Sequence, residues 1–211
     1  MKRNRVVLAA TLALAASMPN LVSASTIAIG AGAFGPGSTL TTFTGLADGT
    51  DVNNLVVDGI LFQYSLGNGL VVIDGGPGTT NNVAVPNIVS VGNPTGVLSV
   101  TLPTLVDSFG YGFAVLLTTP IGTATTISLF NDSTAVGSLL YSGMPDPFFT
   151  GGFAGIQSTL LFNRAELTFT GAAPAFALDN IRTSLRPVPE PGLLLLIGAS
   201  LVGAVVRRRR L

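Results

Sequence analysis

Between residues 60 and 66 the chain reads Ile-Leu-Phe-Gln-Tyr-Ser-Leu, and an extended backbone sends Ile60, Phe62, Tyr64 and Leu66 to one face. A helix would scatter those four side chains around its axis, so the spacing specifies a half-buried strand. Strand character recurs at 97–102, 109–117, 124–130, 164–170 and 175–183, in segments rich in Val, Ile, Thr and Phe. Between these runs lie turn clusters: Leu66-Gly67-Asn68-Gly69, Asp74-Gly75-Gly76-Pro77-Gly78 and Gly92-Asn93-Pro94-Thr95-Gly96. No long segment carries apolar residues at helical spacing between caps. The pattern predicts an all-β fold, an antiparallel β-sandwich. In Phe109-Gly110-Tyr111-Gly112-Phe113 the aromatics share one face and the glycines the other, which predicts an aromatic core face backed by close chain packing.

The two ends of the chain follow other rules. Lys2, Arg3 and Arg5 precede an uncharged run from 6 to 16, and a polar segment ends Val22-Ser23-Ala24. That is the three-part layout of a secretory signal peptide spanning 1–24, with cleavage between Ala24 and Ser25. At the other end, residues 193–206 carry no charge and are followed by Arg207, Arg208, Arg209 and Arg210. Fourteen helical residues span about 21 Å, short of the ~30 Å hydrocarbon core. Nine strongly apolar side chains still favour insertion, and arginine stems can reach the headgroups. A transmembrane helix suited to transient retention is therefore expected, with its arginines cytoplasmic and the body outside. The division is a signal helix (1–24), a sandwich domain (25–186) and a tail (187–211).

Val188-Pro189-Glu190-Pro191, a short apolar segment and a terminal arginine cluster, in that order, resemble the PEP-CTERM sorting tail of Gram-negative bacteria. The resemblance covers about the last two dozen residues. It implies export across the inner membrane, transient anchoring there, and processing near the motif by an exosortase, a membrane-embedded cysteine protease. The end point is the cell surface or the extracellular matrix, in connection with exopolysaccharide and biofilm. A tail that stays as an uncut anchor is the alternative.

The formal net charge of zero hides an acidic body, because seven of the ten basic residues lie in the two terminal segments. Residues 25–186 hold nine acids against Arg164, Arg182 and Arg186, a net −6. Such a surface repels nucleic acid, which is excluded as a partner. The chain has no cysteine and no histidine. Disulfides, thiolate metal sites, a Ser-His-Asp triad and the commonest transition-metal ligand are excluded with them.

Phe176-Ala177-Leu178-Asp179-Asn180-Ile181-Arg182 is similar to the closing strand of lectin-like and carbohydrate-binding jelly rolls, which narrows the expected sandwich to a jelly roll. The stretch 44–66, with Gly45-Leu46-Ala47-Asp48-Gly49-Thr50 before Val57-Asp58-Gly59-Ile60-Leu61-Phe62, resembles the opening of many exported proteins with the same tail. The jelly-roll resemblance implies a structural calcium ion at Asp179. One carboxylate is too few for an ion that takes six to eight oxygens, so Asp48 or Asp51 would join it with backbone carbonyls. The alternative is a bulge or turn in which Asp179 and Asn180 satisfy backbone groups. No other cofactor is expected.

Gly30-Ala31-Gly32-Ala33-Phe34-Gly35 matches the dinucleotide fingerprint, but Pro36 and Gly37 follow at once, so a turn is expected rather than a pyrophosphate-binding helix start. Most aspartates lie in turn contexts, and Glu166 is expected to face solvent, which disfavours a two-carboxylate hydrolase. Sugar binding is the stronger rival. Tyr64 and Tyr111 fall on core faces, leaving Tyr141 and the Met144-Pro145-Asp146-Pro147-Phe148-Phe149 loop as the candidate exposed aromatic patch, with a hydrophobic plug as the alternative there. The resulting expectation is an exported, non-catalytic surface or matrix protein; a carbohydrate-binding module is the alternative.

Overall fold

The computed structural model describes residues 24–76 and 80–185. The expected sorting tail and all of the expected signal segment except Ala24 lie outside the described residues. Eleven antiparallel strands form one continuous sheet: β1 (Thr26–Ala28), β2 (Thr39–Thr41), β3 (Leu55–Val57), β4 (Ile60–Tyr64), β5 (Val71–Asp74), β6 (Asn87–Ser90), β7 (Leu98–Val115), β8 (Ile121–Asn131), β9 (Thr134–Pro145), β10 (Thr150–Phe169) and β11 (Phe176–Ser184). Among the described residues the helical content is a single three-residue 3-10 turn, Ala31–Ala33, and no helix is long and apolar enough to cross a membrane. The glycine-rich 30–35 segment is thus a turn.

Two strands make the sheet a sandwich. β7 and β10 have 18 and 20 residues, too long for one layer, and they pair with each other near both ends. Thr150↔Val115 through Gln157↔Ser108 form one paired stretch and Arg164↔Thr101 through Leu167↔Leu98 the other, with register shifts between Gln157 and Arg164. At those shifts both strands turn from one layer into the next, the usual way a strand changes sheets. The first layer runs β5-β6-β11-β7-β10-β1, and β2 continues the β11 edge beyond β6. The second runs β3-β4-β7-β10-β8-β9. Spatial neighbours such as β11 and β7 are distant in the chain, the wound connectivity of a jelly roll.

The inner faces meet through aromatic rings. Phe169 of the second layer stacks on Phe176 of the first, with centroids 3.9 Å apart and planes at 7°. Tyr111 packs edge-on to Phe169 at 6.3 Å, and Tyr64 lies 6.4 Å from Phe176. Each fully buried aromatic removes enough apolar surface to stabilise the fold by about 1.5–3 kcal/mol. The Tyr111 hydroxyl is 2.5 Å from Thr125 Oγ1, which donates to the Thr168 carbonyl at 2.9 Å. Burial pushes the Tyr111 phenol well above its ordinary range, so it stays a neutral donor inside the sandwich.

The expected core faces of β4 and β7 are the observed ones, with one exception. β4 ends at Tyr64, where the Gly67 N–H closes a turn on the Tyr64 carbonyl, so Leu66 is exposed rather than in the core. The stretches 97–102 and 109–117 are two parts of β7, and 164–170 is the end of β10. Ser25 is tied to the sandwich: its N–H donates to Thr159 Oγ1 at 3.0 Å and its carbonyl accepts the Thr159 N–H at 3.0 Å.

Candidate functional site

On the outer face of the first layer, Asp179 of β11 pairs with Gly112 of β7. A register shift follows Asp179, and Asn180 adopts a left-handed φ of 55°, so a bulge interrupts β11 here. The loop 80–86 crosses over this spot. A Cβ at Gly112 would overlap the Asn82 carbonyl, which shows how closely the loop lies. Ala84 N–H donates to Asp179 Oδ2 at 3.3 Å, and Asn180 Nδ2 donates to the Asn82 carbonyl at 3.2 Å. Asp146 holds the loop from the other side, accepting from Asn81 Nδ2 at 2.5 Å and Asn82 Nδ2 at 2.7 Å.

Under this strap Asp179 is 3% exposed and its Oδ1 has no partner. The register Leu178↔Ile88 continues to set Asn87 of β6 beside it, and both polar side-chain atoms of Asn87 are likewise buried without partners. Desolvation pushes the Asp179 carboxyl up to about 6, against the lowering effect of the Asn180 and Ala84 N–H groups. Leaving such groups unsatisfied is costly, and a buried carboxylate beside a buried carboxamide offers oxygen donors of the kind a hard cation takes. Among the described residues no three Asp or Glu side chains cluster, so carbonyl oxygens would complete such a set.

The acids expected beside Asp179 are engaged elsewhere, at the β5 side of the layer. Asp48 is exposed, and its Oδ1 accepts the Gly75 N–H at 3.1 Å. Asp51 accepts from Asn53 N–H at 2.9 Å and Gly69 N–H at 3.1 Å. Both do what Asp commonly does in turns, capping free backbone donors. Asn87, unmarked by any sequence motif, takes the neighbouring place.

The second feature is a groove of about 570 Å³ on the outer face of the second layer, lined by Asn53, Asn54, Gln63, Tyr64, Ser65, Val97, Ser99 and Glu166. Three of its lining residues, Gln63↔Ser99↔Glu166, form a row across three strands, and the row continues outside the groove as Ser128↔Ser138, all on the outward face because the sheet alternates. Gln63 Nε2 donates to Asn54 Oδ1 at 3.1 Å, and Asn53 Nδ2 to Asn68 Oδ1 at 2.6 Å. Glu166 is half-buried rather than free in solvent, because Arg164 pairs with it. The same guanidinium lies 4.3 Å from the centroid of the Phe130 ring and donates to the Asp132 carbonyl. The surface offers amides, hydroxyls and one paired carboxylate, chemistry suited to hydrogen-bonding a polyol.

The expected aromatic patch divides. The Tyr141 hydroxyl donates to the Gly155 carbonyl at 2.7 Å, and burial raises its phenol above the ordinary range. Phe149 lines an apolar cleft of about 220 Å³ with Val89, Leu116 and Ala175, which leaves Phe148, 76% exposed, as the open ring.

An antiparallel sandwich with a polar outer groove, continuing directly into a tail, is the class of protein so defined. Residues 187–210 match the family model described as the PEP-CTERM protein-sorting motif. No curated protein sequence matches the chain. Among solved structures it is similar to the catalytic domain of a GH87 alpha-1,3-glucanase in complex with tetrasaccharides (10% identity, TM-score 0.34, 80% of this chain and 30% of that one). It is also similar to a mutant of CBM29-2, a family 29 carbohydrate-binding module (9%, TM-score 0.37, 79% and 99%). A third is the CBM22-1–CBM22-2 tandem of Paenibacillus barcinonensis Xyn10C (14%, TM-score 0.38, 71% and 49%). The chain thus spans less than a third of the glucanase.

Proposed function

We propose that this is an exported, non-catalytic β-sandwich that its sorting tail retains at the inner membrane until an exosortase-type protease processes it, and that it then serves at the surface or in an exopolysaccharide matrix. The observation that carries the reading is the sorting motif at 187–210, beginning two residues beyond the last described residue of the folded body. Intact mass of the protein recovered from culture tests it. The expected species begins at Ser25 and lacks the segment beyond Pro191; a recovered species that keeps Arg207 to Arg210 overturns processing and leaves an anchor.

A second reading, carbohydrate binding, is favoured by the groove over Ser99 and Glu166. Its open lining, with the amides of Asn53, Asn54 and Gln63, suits an extended polysaccharide, and Glu166 is the one carboxylate among its lining residues, whereas glycoside hydrolysis ordinarily uses two. Affinity electrophoresis in the producing organism's own exopolysaccharide tests it. Retardation of the native chain that Gln63→Ala and Glu166→Ala relieve is expected; equal mobility with and without polymer rejects it.

The buried pair under the strap is proposed to hold a structural calcium ion, with Asp179 Oδ1 and Asn87 Oδ1 among its ligands. The ion would supply the positive charge that makes a buried carboxylate tolerable. A chelator is expected to lower the Tm of the native chain and to leave that of Asp179→Ala unchanged. An unchanged native Tm rejects the ion.

A further inference from the structure

Ser184, the last residue of β11, pairs with Ser108 of β7; Ser108 pairs with Gln157 of β10, and Gln157 with Ile27 of β1. One row across four strands therefore holds the last paired residue before the tail and nearly the first residue of the expected mature chain. Both covalent exits leave the same end of the first layer, about 14 Å apart at ~4.8 Å per strand. β7 and β10 turn into the second layer at this end, and the corner exposes Leu105 and Leu161. Together with Ile27 and Leu185 they are 39 to 55% exposed.

Seven residues separate Leu185 from Leu193, three of them prolines. At about 3.1 Å per residue for a Pro-rich chain, the apolar segment begins no more than about 25 Å from Leu185. The opposite end of the layer, at Phe176, is eight residues up β11 from Ser184, about 26 Å at ~3.3 Å per residue. Turning that end to a bilayer would use up the whole connection. Resting on the corner uses almost none of it.

We infer that, in the uncut chain, the corner end of the sandwich is apposed to the membrane, with Ile27, Leu105, Leu161 and Leu185 on the lipid surface. This rests on the proposal that 193–206 is a membrane segment. Charge around the corner is mixed: Asp132 hydrogen-bonds Asn163 and accepts Arg164 at its carbonyl, the Asp58-Gly59 turn packs near Pro103, and Arg182 lies two residues before Ser184. The exposed apolar side chains rather than a net charge carry the contact, so an uncharged phosphatidylcholine surface is sufficient for it.

The absence of native cysteine allows clean single labels. Leu105→Cys, Leu161→Cys and Phe148→Cys, all at exposed positions, each carry one fluorophore in the full chain reconstituted into phosphatidylcholine vesicles containing nitroxide-headgroup lipid. Quenching several-fold stronger at 105 and 161 than at 148 is expected, and a flexible Gly/Ser insertion after Arg186 is expected to reduce it by letting the body lift. If the chain floats with the vesicles but all three sites quench equally, or 148 quenches most, the apposed-corner inference is overturned and the anchor stands. If the chain does not float with the vesicles, the anchor proposal falls and the inference falls with it.

Discussion

Two residues on one face of the first layer show how much depends on single atoms. Gly112 leaves room for the Asn82 carbonyl, so Gly112→Ala forces the strap outward and is expected to cost about 2–3 kcal/mol by chemical denaturation. Gly122→Ala, where nothing lies within 4 Å of the added carbon, is expected to change stability by less than about 0.5 kcal/mol. Equal effects at the two positions would show that the strap does not pack as described. Its row neighbour Asp179 governs pH behaviour. In chelator, its carboxyl titrates near 6 in the folded chain against 3.8 ordinarily, so the folded state binds the proton more tightly. This stabilisation is fully present below about pH 4 and is lost as pH rises through 6, a change of roughly 2–3 kcal/mol. Asp179→Asn is expected to flatten stability between those pH values. A native curve that rises across the same interval in chelator contradicts the assignment.

The strap is the element that couples these residues to the rest of the layer, and Asp146 pins it through Asn81 and Asn82. Asp146→Ala is expected to speed amide exchange across the strap while leaving β8 protected. Uniform acceleration in both would mean global destabilisation instead. The bulge at Asp179-Asn180 is one of the two readings the sequence supports, but the strap that crosses it is not legible there, because it has no periodicity and Asp146, Asn81 and Asn82 are ordinary loop residues. β4 and the 109–113 part of β7 were legible for the opposite reason: alternation fixes which face is buried whatever the partner strand. The length of β7 and β10 was not, since a strand that passes from layer to layer changes its buried face at the corner, and residues 103–105 break the pattern there. Asn87 carries no sequence signal because its place beside Asp179 comes from a strand pair about ninety positions apart in sequence.

Across the whole molecule, charge is distributed so that each processing step would be visible. The complete chain is neutral with pI ≈ 6.1. Three cations lie within 1–24, four lie beyond Pro191, and neither segment contains an acid. Removing the first takes the net charge from 0 to −3, and removing both takes it to −7. The fully processed form then has ten acids and three arginines, and should focus near pH 4, close to ordinary carboxylate values. Isoelectric focusing of membrane and culture fractions is expected to resolve the −3 form with the membrane and the −7 form outside it. A culture fraction containing the −3 form would mean that the tail is not cut before release. The −7 form in the membrane fraction would mean that something other than the apolar tail retains the body, and the corner carrying Ile27, Leu105, Leu161 and Leu185 is the surface on which to look for that contact.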